Sequence, residues 1–130
     1  MTVVLAHSPA PSADTAFRSA LEQARMRGTD LVVLNVSSND ALADPKHAAD
    51  TTLEGYLTEA AAVGVTARVE RVLASDAADA VLEAARQHAA ALLVVGIRHR
   101  SPVGKLLMGS TAQRILLAAD CDVLAVKVKR

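Results

Sequence analysis

Short uninterrupted apolar runs constrain this chain most: TVVLA at residues 2–6, LVVLNV at 31–36 and ALLVV at 91–95. Successive side chains of a strand point to opposite sides, so a strand with one wet face alternates apolar and polar residues. A run without alternation needs apolar cover on both faces, which is the condition of a central strand in a parallel sheet with helices on either side. VTARVERVL, near 65–73, alternates more and is expected nearer an edge, and DVLAVKV at 122–128 is short, apolar and ends in charge.

The segments between these runs carry helical spacing. Phe17, Leu21 and Ala24 recur at i, i+4, i+7; Ala78, Val81, Leu82 and Ala85, and likewise Ala112, Ile115, Leu116 and Ala119, at i, i+3, i+4, i+7. Ser75 stands where an N-cap for the third helix is expected, and Ser110 with Gln113 has the capping-box spacing for the fourth. Gly28 and Gly64 are expected to close the first two helices. The order β-α-β-α-β-α-β-α-β with right-handed crossovers gives an α/β fold: a doubly wound, five-stranded parallel sheet with helices on both faces. One domain, residues 1–130, suffices for 130 residues. Residues 37–50, SSNDALADPKHAAD, show no period and are expected to be a loop leading into the second helix.

Ligands of such sheets bind at the carboxyl ends of the strands, where the strand order reverses. The tips there are HSPAPS, SSND and GIRHR, and the last opens the stretch GIRHRSPVGKLLMGST, residues 96–111. It is not a Walker loop, because Leu106 follows Gly104-Lys105 where Ser or Thr is needed and His99 occupies the first glycine position. It does place Gly96 after a strand and Gly109-Ser110 before a helix, where free N–H groups, a hydroxyl and the helix dipole favour an anion, with Arg98, Arg100 and Lys105 adding charge. The charge distribution agrees: residues 96–130 hold 7 Lys or Arg against 2 Asp or Glu, whereas residues 1–95 hold 7 against 12.

Other functions are excluded or disfavoured. With 2% aromatics and no Trp the chain is poorly suited to stacking nucleic-acid bases. One cysteine, Cys121, allows neither an internal disulfide nor a multi-cysteine metal site. It is expected to be a small core residue. His7, His47, His88 and His99 have no metal-ligand spacing, and surface roles are expected for His47 and His88. Adjacent His7 and Ser8 point apart on a strand end, which argues against a nucleophile and base. No membrane-length apolar run or signal peptide is present, so a cytoplasmic protein that binds neither membrane nor nucleic acid is expected.

In its element order, and above all in GIRHRSPVGKLLMGSTAQRILLAADCDVLAVKV, the chain resembles the universal stress protein family. The resemblance implies the strand order 3-2-1-4-5 and a stress-response or signalling role without catalysis. It further implies a homodimer through the C-terminal strand, and a site for ATP or another adenine nucleotide, with or without Mg. Nucleotide-binding members carry G-x2-G-x9-G-[ST] after the fourth strand. Gly96, Gly109 and Ser110 match that pattern, His99 replaces the second glycine, and Arg98 and Thr111 flank it. At the amino end Ala6 stands at the acidic position whose side chain meets the ribose, His7 at the next glycine, and Ser8 matches; Val36 stands where the backbone meets the adenine. These departures imply weak or conditional nucleotide binding, or, as the alternative, a dimeric interaction module whose pocket has degenerated.

Overall fold

The computed structural model describes residues 2–8, 13–37, 49–98 and 109–128. Their elements are β1 (Thr2–His7), α1 (Ala13–Arg27), β2 (Asp30–Ser37), α2 (Asp50–Ala62), β3 (Ala67–Leu73), α3 (Ala77–Gln87), β4 (Ala90–Arg98), α4 (Ser110–Ala118) and β5 (Asp122–Val128). All strand pairs are parallel, and the sheet order is β3-β2-β1-β4-β5. The order reverses between β1 and β4, where Ala6 lies opposite Val95.

The unbroken apolar runs divide by parity between two cores. Val3, Leu5, Leu31, Val33, Leu92 and Val94 face α1 and α2, meeting Phe17, Ala20, Leu21, Ala24, Leu53, Tyr56 and Ala60. Val4, Val32, Leu34, Val36, Leu93 and Val95 face α3 and α4, meeting Ala78, Val81, Ala84, Ala85 and Ile115. Burying each Val or Leu is worth about 1.5–3 kcal/mol, and the three central strands bury nearly all of theirs.

Boundaries depart from the sequence expectation where pairing outlasts the apolar run. β1 includes His7, which pairs with Asn35 of β2. β4 runs past Gly96 to Arg98, because Gly96, Ile97 and Arg98 continue the ladder with Val126, Lys127 and Val128 of β5. Gly96 is therefore a strand residue and not the turn after a strand. The helix starts shift as well. α3 is capped by Asp76, not Ser75: its carboxylate accepts the Asp79 N–H at 3.0 Å. α4 has Gly109 as its N-cap, with Ser110 already in the first turn, so the capping box expected of Ser110 and Gln113 does not form. The first α-type bond runs instead from the Gln113 N–H to the Gly109 carbonyl, at 3.0 Å.

Gly28 and Gly64 close α1 and α2 in left-handed conformations, with φ of 65° and 80°. The stripes on α1 and α3 are buried as expected, but on α4 only Ile115 is. Leu117, beside that stripe, is 81% exposed.

Candidate functional site

Two sets of groups lie at the carboxyl end of the sheet, one on each face. The sequence-predicted residues Ala6 and Val36 belong to the α3/α4 face: Ala6 packs half-buried against that core and Val36 is buried in it. The amino end of α4 is on the same face. Its N-cap is a glycine without a side-chain bond, and no acidic residue stands in its first turn. The leading N–H groups of a helix, here those of residues 110–112, have no intrahelical partner. Gly109, Ser110 and Thr111 are exposed. Gly109 has φ −65°, which any residue adopts, and a side chain added there would meet nothing within 4 Å. Access to the helix terminus, and not backbone strain, is what a substitution at Gly109 would alter.

Arg114, one turn into α4, joins this terminus to that of α3. Its guanidinium donates to Asp76 Oδ2 at 2.7 Å and also to Asp79. The Asp79 N–H and Arg114 hold the Asp76 carboxyl below its usual range. Part of the basic surplus of the last third is thus neutralised by α3. Gly96 is exposed on β4, and Arg98 is its last residue. His99, Arg100, Gly104 and Lys105 lie outside the described residues, as do His47 and most of the 37–50 segment. Of the predicted site, Ala6 and the end of β4 meet at the order reversal, with Ser110 and Thr111 opening α4 on the Ala6 side.

On the α1/α2 face stands a cluster that sequence reasoning missed. His7 is buried, and its ring meets Tyr56 of α2 edge-on, with centroids 5.5 Å apart and planes at 73°. Tyr56 in turn stacks on Phe17 of α1 at 4.0 Å and 8°. The Tyr56 hydroxyl donates to Asp14 Oδ1 at 2.7 Å; burial and that carboxylate push its pKa well above the ordinary tyrosine value. Fully buried Asn35 of β2 donates to the His7 carbonyl at 3.5 Å and accepts from Arg71 Nη1 at 3.1 Å. Arg71 Nη2 reaches Asp50 Oδ1, at the start of α2, at 2.7 Å. Within the sequence, only the identity of Asn35 inside an apolar run signalled any of this.

The remaining candidates resolve simply. His88 is not an incidental surface residue: it is mostly buried and bonds Glu70 Oε1 at 2.8 Å. Cys121 packs half-buried against the α3/α4 core, where burial, with Asp122 and Asp120 near, raises its thiol pKa. Among the described residues there is no group of three or more His, Cys, Asp or Glu able to hold a metal. No helix among them is long and apolar enough to cross a membrane.

Against known proteins, a family model described as the universal stress protein family matches residues 1–127. A universal stress protein of Mycolicibacterium smegmatis is 38% identical over 125 residues, covering 96% of each chain. Among solved structures, a universal stress protein from Archaeoglobus fulgidus has a TM-score of 0.80 at 28% identity, covering 97% of both chains. A universal stress protein solved in complex with cAMP gives 0.72 at 25%, covering 97% of this chain and 96% of that one. The universal stress protein from Archaeoglobus fulgidus in complex with dAMP gives 0.73 at 22% with the same coverage, a likeness of fold.

Proposed function

The chain belongs to the universal stress protein family, and from that premise we propose that it is a single-domain stress-response or signalling protein that binds an adenine nucleotide weakly and without catalysis. The observation that carries this reading is the amino end of α4. A bare glycine cap, exposed Ser110 and Thr111 and unclaimed N–H groups form an anion site on the face where Ala6 and Val36 stand. Relatives that hold dAMP and cAMP support the choice of an adenine nucleotide.

In this reading the phosphates of ATP, with or without Mg, lie against Gly109, Ser110 and Thr111, with Gly96 and Arg98 of β4, and His99 next in sequence, as the further contacts. The base lies against the backbone of Val36. Binding is weak because Ala6 offers the ribose no hydrogen-bond acceptor, a loss of about 1–2 kcal/mol or roughly ten-fold in affinity, and because His99 crowds a glycine position.

Calorimetric titration with ATP tests it. Gly109→Val abolishes binding with the fold intact, since its Cβ enters open space. The double variant Ala6→Asp, His99→Gly binds about ten-fold or more tightly than the parent, each change worth on the order of 1 kcal/mol. Equal binding by the parent and Gly109→Val removes the site.

Homodimerisation through β5 belongs to the same proposal. That edge strand is half-buried from Val123 to Val126, and Leu117 of α4 is exposed. An apolar edge of this kind invites a partner strand. A protein that dimerises yet binds no nucleotide, even as the double variant, is instead an interaction module with a degenerated pocket.

A further inference from the structure

The two ring nitrogens of His7 are buried and have no hydrogen-bond partner among the described residues. Buried polar atoms are ordinarily satisfied, and an orphaned pair of this kind is tolerated only while the ring is neutral. The groups around the ring come from four elements. α2 presents the edge-packed Tyr56, α1 presents Asp14, and β3 presents Arg71, which is tied to Asp50 of α2. β2 presents Asn35, whose amide serves the His7 carbonyl and not the ring. Among the described residues, the one carboxylate whose charge favours a protonated His7, Asp14, already accepts the Tyr56 hydroxyl.

We infer that His7 is an acid-sensitive latch for α2: a proton taken up by its ring breaks the His7–Tyr56–Asp14 arrangement and releases the amino-terminal half of α2 from the sheet. An imidazolium here faces two outcomes with the same consequence. It stays unpaired against an apolar core with Arg71 repelling it, or it draws Asp14 away from Tyr56. Either way Tyr56 loses its position, and Tyr56 is one of three buried residues that dock α2, with Leu53 and Ala60.

The direction of the pH dependence follows from linkage. Burial holds the pKa of His7 below its ordinary 6.5, with Asp14 opposing that shift and Arg71 adding to it. The folded chain thus binds fewer protons at this residue than the unfolded chain does. The contribution of His7 to stability is complete above 6.5 and is lost as pH falls below it.

The sequence supplies its own reporter, since it contains one tyrosine and no tryptophan. Tyrosine emission of the full chain, and near-UV dichroism read above the phenylalanine bands, therefore report Tyr56 alone when followed from pH 8 downward. The parent is expected to lose its near-UV signal with a midpoint below 6.5 while far-UV dichroism keeps most of its helix. His7→Phe, which keeps a ring against Tyr56 but cannot titrate, is expected to hold its signal until the carboxylates titrate near pH 4. His88→Gln, which removes the other histidine among the described residues, is expected to behave as the parent. The same transition in His7→Phe, or its loss in His88→Gln, overturns the latch. Should His7→Phe fail to fold, proton NMR of the unaltered protein decides. The His7 and Tyr56 ring resonances shift together below 6.5, whereas a His7 that titrates with no response from Tyr56 overturns the inference.

Discussion

On the face covered by α1 and α2, the chain's one tyrosine and one phenylalanine stack on each other, a histidine packs against the tyrosine, and hydrogen bonds from Tyr56 to Asp14 and from Arg71 to Asn35 and Asp50 close the rim. On the face covered by α3 and α4 the core is aliphatic, one helix touches it through a single fully buried side chain, and the rim ends in an uncapped helix terminus. The first face is closed by the protomer's own groups, apart from the two ring nitrogens of His7. The second leaves, among the described residues, a helix terminus without a side-chain cap and the exposed Leu117, while β5 lends half-buried side chains to both faces. The two faces thus differ in the side-chain packing each holds, with the order reversal between β1 and β4 as the seam.

Breaking the completed face has the largest expected effect. Phe17 is fully buried and carries Tyr56 on its ring, so Phe17→Ala is expected to cost about 3–5 kcal/mol in urea unfolding. Leu117→Ala on the other face removes a similar volume from a side chain 81% exposed, and is expected to change the unfolding free energy of the protomer by no more than about 0.5 kcal/mol. Equal costs would mean that α4 is covered as fully as α1.

The edge strand β5, which packs on both faces, is tested next through assembly. Sedimentation of the intact chain is expected to give a dimer. Val126→Lys, on the half-buried stretch of β5, is expected to give a monomer, and Leu117→Ala a weakened dimer. A monomeric parent across the micromolar range would mean that the edge is tolerated bare, and that the contrast between the faces concerns only ligand binding.

How much of this was legible in the sequence follows the same division. The strands were readable because burial on both faces leaves a continuous apolar run that needs no knowledge of the partner strand, and the family pattern carried the strand order. Helix starts were missed by one residue at both α3 and α4: Ser75 and Asp76 are both good caps, and only the bond from Asp79 and the reach of Arg114 select between them. The His7 cluster was unreadable because its contacts join residues 28, 36 and 42 positions apart. They exist only once β1, β2 and β3 are in register and α2 lies across α1. By sequence His7 falls at the strand end in the tip HSPAPS, because the apolar run stops at Ala6, whereas the ladder with Asn35 continues through it.

The smallest effect concerns the turns that feed the two halves. The turns after α1 and α2 place glycines at φ 65° and 80°, while the turn after α3 places Ala89 at φ 49°. A left-handed non-glycine residue costs roughly 1–2 kcal/mol. Replacing it with glycine also frees the unfolded chain, which gives back about 0.4–1 kcal/mol. Ala89→Gly is therefore expected to stabilise by about 0.5 kcal/mol. The reverse change, Gly64→Ala, is expected to destabilise by a similar amount, and by no more, because an added Cβ there meets nothing within 4 Å and the cost is conformational alone. Paired urea titrations of the two variants read both signs. If Ala89→Gly destabilises while Gly64→Ala behaves as expected, the left-handed turn into β4 is held by something other than backbone preference, and the α3 side is more completely built than its rim indicates.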